Sequence, residues 1–392
     1  MQNTDTKKPR IAVLHDSFLY RGGGERLVTL MAKSLGADLI SGFFSEGSFD
    51  PRELGFEGKM IALGKPVFAK GIRHLTLAHR FRHGTRILRE YDIVIFSGNC
   101  LDALRHVRTD AKVHYYCHTP PRYLFDFRER YMEKFPGLIR PIMKMIFDRQ
   151  AKKYIAALGR FDTIFTNSQN THDRLLHFCH AESTILYPPT DTERFKIQNS
   201  KGEITVPNNL ASGILHLESK SYFLSTSRLS PPKRVDVVIE AFRQLPEKNL
   251  VFTYGQNDPE KERLLALAAG CKNIFPIPAP KEEIFISLIS SAIANIYIPV
   301  DEDFGMSPVE SMACGVPVIG ANEGGLLETV IEGKTGKLIE IQDSKLGIQN
   351  LKQVIRNTPK EEWIEMKEDC RERAQAFSLE AFAGNLKKYI YE

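Results

Sequence analysis

Short apolar runs recur along the chain, with amphipathic stretches between them. In the first half they are Ile11–Leu14, Ile93–Phe96, Val113–Cys117, Thr163–Thr166 and Thr184–Leu186. In the second half they are Tyr222–Thr226, Asn249–Tyr254, Asn273–Phe275, Ala294–Ile298 and Val316–Ile319. Runs this short and this apolar suit strands buried on both faces. Helical patterns between them supply the crossovers of parallel sheets. The chain therefore reads as α/β, with two Rossmann-like domains. The polar stretch Asp191–Lys220, with Asn199-Ser200-Lys201-Gly202 and Pro207-Asn208-Asn209, carries loop signals and marks the boundary. This predicts domains over 1–190 and 191–375, a division that suits 392 residues. Leu379–Tyr391 is a further amphipathic helix.

Composition narrows the class without naming a chemistry. Apolar residues make up 42% and charged residues 26%, as in ordinary globular proteins. No run of eighteen apolar residues occurs, so no spanning helix is expected. The most apolar stretch, Ile284–Val300, is broken by Ser287, Ser290, Ser291 and Asn295 and reads as a helix followed by a strand. The first ten residues lead into Ile11 without the apolar core of a signal peptide. The six cysteines include no Cys-x-x-Cys pair and suggest no disulfide framework. A cytoplasmic protein without a zinc site is expected. Charge is uneven: residues 1–190 hold 29 Lys/Arg against 19 Asp/Glu, net +10, and residues 191–392 hold 24 against 29, net −5. Such asymmetry marks a partner surface.

Candidate chemistry concentrates after the run Ala294–Ile298. Glu302 and Glu310 bracket Asp303-Phe304-Gly305-Met306-Ser307-Pro308-Val309. Pro308 suits the first turn of a helix, where its missing N–H costs nothing. A strand, a Gly-containing loop and a helix start leave free amides that bind anions, phosphate above all. Arg21-Gly22-Gly23-Gly24-Glu25-Arg26 follows the first strand, and its glycines permit positive φ and close approach to a ligand. By itself it is equally a tight turn. Arg228 and Lys233 follow the strand Tyr222–Thr226 and are able to clamp a diphosphate, Arg with a bidentate fork and Lys as a point charge. His118 follows Val113–Cys117 and precedes Pro120-Pro121, which puts it on a loop at a strand end. Asp301-Glu302-Asp303 is literally Asp-x-Asp, a metal-holding triplet in another fold; here it overlaps the glutamate pair and is read as coincidence. Lys65–Arg89 carries seven Lys/Arg, three His and no acid, interleaved with apolar residues. Such a stretch suits an anionic membrane; a grip on nucleic acid and a plain solvated helix face are the alternatives.

The run from Glu302 to Gly325, including Gly315-Val316-Pro317-Val318-Ile319, resembles the donor-site signature of retaining glycosyltransferases of the GT-B fold, family 4. The resemblance implies two Rossmann-like domains facing a central cleft, with a C-terminal helix, about 376–392, crossing back to complete the first. It implies that Glu310 holds the donor's ribose hydroxyls and Glu302 its sugar hydroxyls. The amides of Phe304, Gly305, Met306 and Ser307 would hold sugar and phosphate, and Arg228 and Lys233 the diphosphate. Gly23 and Gly24 match a loop near the donor phosphates, although the family has Ala where this chain has Gly24. His118 would lie against the transferred sugar. The run His118-Thr119-Pro120-Pro121-Arg122-Tyr123 is similar to bacterial O-antigen mannosyltransferases, which implies GDP-mannose as donor, with UDP-hexose second. No cofactor beyond the sugar nucleotide, no metal and no nucleic acid are expected. The expected acceptor is a glycan or a polyprenyl-diphosphate-linked glycan at the inner face of a membrane. A non-catalytic subunit of the same fold is the alternative, against which the intact set of Glu302, Glu310, Arg228 and Lys233 speaks.

Overall fold

A computed structural model describes residues 8–19, 21–197 and 221–391. Most of the expected boundary stretch, residues 198–220, lies outside the described residues. The chain divides into two compact units, Met1–Pro189 with Phe382–Glu392, and Thr190–Ala381. The segment that returns to the first unit thus begins at Phe382 rather than near residue 376. Phe377 stays with the second unit because its ring packs edge-on against Phe304, 5.3 Å between centroids.

The first unit is built on seven parallel strands: β1 (Ile11–His15), β2 (Asp38–Ser41), β3 (Met60–Ala62), β4 (Ile93–Ser97), β5 (Lys112–Cys117), β6 (Thr163–Thr166) and β7 (Thr184–Ile185). Their order is β3-β2-β1-β4-β5-β6-β7. The second holds six: β8 (Tyr222–Ser225), β9 (Asn249–Tyr254), β10 (Ile274–Pro278), β11 (Asn295–Tyr297), β12 (Val318–Ala321) and β13 (Gly336–Ile339). Their order is β10-β9-β8-β11-β12-β13. β2, β3 and β13 were not expected. β3 and β13 are short and only half-buried in part, so no continuous apolar run betrays them.

Side-chain alternation divides β5 between two faces. Val113, Tyr115 and Cys117 join a core with Leu14, Phe96, Tyr154 and Leu175. His114 and Tyr116 point the other way. The Tyr116 hydroxyl donates to Leu186 O at 2.8 Å. The His114 ring lies 6.0 Å from Phe165, and Phe165 lies 5.7 Å from Tyr389 on the C-terminal helix Leu379–Tyr391.

His114 is 2% exposed and neither ring nitrogen has a hydrogen-bond partner. Burial away from water favours the neutral ring and holds its pKa down to about 4. In the unfolded chain the group titrates near 6.5. Because the folded pKa is the lower one, the neutral ring's stability is present above about pH 6.5 and is lost as pH falls toward 4. The loss amounts to about 3 kcal/mol at most. Urea unfolding at about pH 7 and about pH 5 should show a lower midpoint in acid, and His114→Phe should flatten that difference. An unchanged acid slope in the variant would remove His114 as its source.

Candidate active site

In each sheet the strand order reverses once, between β1 and β4 and between β8 and β11. Crossovers leave such a point in opposite directions, so a crevice opens at the carboxyl ends of the two strands. Every candidate residue in the first unit lies at or near the first of these points, and the second-unit candidates surround the other.

The second-unit site begins with two loops. After β8, Lys233 closes a short 3₁₀ turn, Pro231–Lys233, and Arg234 follows with φ of 50°. Arg234, which the sequence reading passed over, pairs with Glu323 and donates to Pro299 O and Ile341 O, each at 3.4 Å. It pins the loop that carries Lys233. Lys233 Nζ donates to Glu302 Oε2 at 2.5 Å and to the Tyr297 hydroxyl at 2.8 Å. Burial and the adjacent Glu302 charge hold the Tyr297 pKa well above its usual value, so the hydroxyl stays protonated. Arg228 is exposed on the same loop.

Glu302 is placed by backbone against backbone. Gly325 N donates to Glu302 O at 2.7 Å. A Cβ on Gly324, whose φ is +63°, would lie 2.6 Å from Glu302 O; one on Gly325 would lie 2.5 Å from Asp303 O. No side chain fits in either place, which is why two glycines follow Glu323.

The helix beyond runs Met306–Ala313, capped by Gly305 at φ 89°. It therefore starts two residues before Pro308, and Glu310 falls past its first turn rather than within it. Gly305 sets the start because it alone accepts the left-handed cap. Asn295 Nδ2 on β11 donates to Ser311 Oγ at 2.7 Å and ties the helix to the strand. Met306 and Ser307 are half-buried, but the Phe304 side chain is 2% exposed in the core. Phe304 offers the site its backbone alone. Among the described residues, no three His, Cys, Asp or Glu are grouped to hold a metal.

In the first unit the helix Gly23–Leu35 starts on Gly23, with Gly22 extended before it. Gly23 and Gly24 are helical, so the expected positive φ is not used: the glycines serve close approach. A Cβ on Gly24 would lie 3.7 Å from His118 Cε1 and 3.9 Å from His15 Cε1, ordinary contact distances. The alanine of the resembled loop fits here. His118 is half-buried, and its pKa is pushed down to about 4 by desolvation and by the neighbouring His15. Its Nε2 lies 2.7 Å from Ser97 Oγ, which lies 3.2 Å from His15 Nδ1. Neither His15 nor Ser97 stood out in the sequence, since each ends an apolar strand. The loop after His118 is held by Asp126, which pairs with Arg122 at 2.6 Å and Arg174 at 3.6 Å, while Arg174 donates to Thr119 Oγ1 at 3.1 Å.

Residues 211–377 match the family model of glycosyl transferases group 1. Over that span the chain is similar to group 1 glycosyltransferases. Full-length relatives include the α-1,3/1,6-mannosyltransferase ALG2 of Dictyostelium discoideum, 29% identical over 85% of this chain and 87% of the relative. Human ALG2 is 24% identical over 98% and 96%. The narrower expected likeness, to bacterial O-antigen mannosyltransferases, finds no support in these relatives. The fold is that of GT-B glycosyltransferases. Anabaena Alr3699/HepE in complex with UDP-glucose aligns over 97% of this chain and 99% of its own, with a TM-score of 0.69 at 17% identity. Sucrose-phosphate synthase of Thermosynechococcus elongatus aligns over 97% and 98%, at 0.72 and 17%. At such identities the likeness is one of fold.

The two glycine environments predict opposite responses to alanine. Gly24→Ala should leave unfolding stability unchanged or raise it by up to about 1 kcal/mol, because Ala is the better helix former. Gly324→Ala should lower it by about 1–3 kcal/mol through strain and backbone clash. Denaturant unfolding of both variants measures this; equal stabilities would contradict the packing described for Gly324.

Proposed function

We propose that the protein is a retaining, metal-independent family 4 mannosyltransferase. It moves mannose from GDP-mannose to a glycan, or a polyprenyl-diphosphate-linked glycan, at the membrane surface. The observation that carries this reading is the cluster of Lys233, Glu302 and Tyr297, with Glu302 on the loop that leads into the helix starting at Met306. The names of the full-length relatives, α-1,3/1,6-mannosyltransferases, support mannose as the sugar.

In this reading Glu310 accepts the ribose hydroxyls and Glu302 the sugar hydroxyls. Arg228, Lys233 and the amides of Phe304, Gly305, Met306 and Ser307 offset the charge of the diphosphate, the task a metal performs elsewhere. Gly23 and Gly24 let the phosphates approach the backbone, and His118 receives the sugar. The bond from the anomeric carbon to the phosphate oxygen breaks as the bond to the acceptor oxygen forms on the same face. The acceptor's proton passes to the departing phosphate oxygen. A double displacement would need a second carboxylate about 5 Å away across the bond, and no first-unit motif supplies one.

The purified protein should turn over GDP-mannose with an accepting glycan, and excess EDTA should leave the rate unchanged. Glu310→Ala should lower kcat/KM for the donor by about 1–3 kcal/mol, roughly 5- to 150-fold. Turnover of UDP-hexose alone would reassign the donor, and wild-type kinetics in the variant would remove Glu310 from the site.

Membrane docking belongs to the same proposal, and exposed apolar and basic side chains support it. No helix among the described residues is long and apolar enough to cross a membrane. Within Lys65–Arg89, Arg80 is committed elsewhere: it donates to Gly42 O at 3.0 Å and Lys65 O at 2.9 Å. Phe68, Ile72 and Leu75 are 64–75% exposed. A second surface starts the helix Arg140–Leu158, where Leu138, Ile142 and Met145 are 94%, 55% and 65% exposed. Lys134, Arg140, Lys144 and Arg149 flank them in the open. Inserted apolar side chains contribute about 1.5–3 kcal/mol each at full burial. Each flanking cation adds about 1 kcal/mol near an anionic surface. Wild type should sediment with anionic vesicles at low salt, and Ile142→Asp with Met145→Asp should weaken this by tenfold or more. Failure of wild type to sediment would overturn the docking.

A further inference from the structure

We infer that Asp16, His15 and Ser97 form a polar chain that fixes the tautomer of His118, so that its outer nitrogen, Nδ1, is a bare acceptor. The inference rests on the reading that His118 receives the sugar, and it concerns which hydrogen bond His118 offers.

Four groups lie in line at the reversal between β1 and β4. Asp16 Oδ1 is 3.4 Å from His15 Nε2, His15 Nδ1 is 3.2 Å from Ser97 Oγ, and Ser97 Oγ is 2.7 Å from His118 Nε2. His15 is 6% exposed and Ser97 fully buried, so water does not compete between them. The paired register of β1 and β4 sets His15 directly beside Ser97. The Asp16 carboxylate is oriented by two backbone donors, Ser17 N at 2.6 Å and Asn99 N at 3.3 Å.

Proton counting then assigns every position. A carboxylate only accepts, so with Asp16 Oδ1 at 3.4 Å a His15 ring that carries one N–H holds it on Nε2. His15 Nδ1 is left with a lone pair and accepts the Ser97 O–H. Ser97 has one hydroxyl proton, and having donated it to His15 it accepts from His118. The proton of neutral His118 therefore lies on Nε2, and Nδ1 keeps its lone pair. One ring nitrogen's partner decides what the other nitrogen offers. His118 thus accepts a hydrogen bond from a hydroxyl rather than donating one to it, which selects a sugar oxygen that still carries its proton. His15, Ser97 and Asp16 are positioning residues that act through His118.

Removing the acceptor beyond Ser97 should invert the chain. In His15→Phe the Ser97 hydroxyl has no Nδ1 to donate to, turns to His118 Nε2, and drives the His118 proton to Nδ1. Selective ¹⁵N-histidine labelling of the full chain reads this directly, with the His118 resonances assigned by their loss in His118→Asn. Wild type should show a protonated Nε2 and a bare Nδ1 on His118, and His15→Phe should exchange the two signals. Donor kcat/KM should fall tenfold or more in His15→Phe. A protonated Nδ1 in wild type overturns the inference without reference to any variant. An unchanged His118 pattern in a folded His15→Phe protein overturns it as well. If His118→Asn turns over donor at the wild-type rate while the wild-type tautomer is as stated, it is the sugar-receiving role of His118 that fails, and the tautomer assignment stands.

Discussion

Helices that cross over on either side of β1 and β4, or of β8 and β11, depart in opposite directions and leave the carboxyl ends between them uncovered. Parallel sheets bury both faces, so these strand ends are where polar groups can gather without cost to the core. His15 and Ser97 end β1 and β4 at paired positions. Lys233 and Glu302 lie on the loops after β8 and β11 and meet there. Each candidate site is thus a product of strand order before it is a product of side-chain chemistry.

The two sites solve different electrostatic problems. The second-unit site gathers charged groups of both signs: Lys233 pairs with Glu302, with Arg228 and Glu310 on the same loops and helix. Charged groups tolerate this because Lys233 and Glu302 pair and remain about a quarter exposed. The first-unit site is nearly dry, and its groups solve burial by hydrogen bonding in series. Desolvation favours the neutral form of His118, and one Ser hydroxyl links its ring to that of His15.

Glycines serve the two sites in unlike ways. Gly324 and Gly325 admit backbone to within contact of the Glu302 loop, and nothing larger fits. Gly24 leaves room that a methyl would fill without strain. Both lie in glycine runs in the sequence, and only their surroundings tell the structural necessity from the open approach.

Local signals carried most of the architecture. Ten apolar runs marked strands, the helical stretches between them implied parallel sheets, and the spacing of Glu302, Gly305, Pro308 and Glu310 announced a loop and a helix start. Those features are legible because period and turn chemistry act over a few residues. The short strands Met60–Ala62 and Gly336–Ile339 escaped because their burial comes from neighbours far along the chain. The helix start fell on Met306 rather than Pro308 because Gly305 takes the left-handed cap, a choice of backbone dihedral that composition does not state. Arg234, Asp16, His15 and Ser97 were invisible for the same reason. Their partners stand 89 residues away for Arg234 and 82 for His15 with Ser97. Strand register sets His15 beside Ser97 and loop packing brings Arg234 to Glu323, and both exist only in the folded chain.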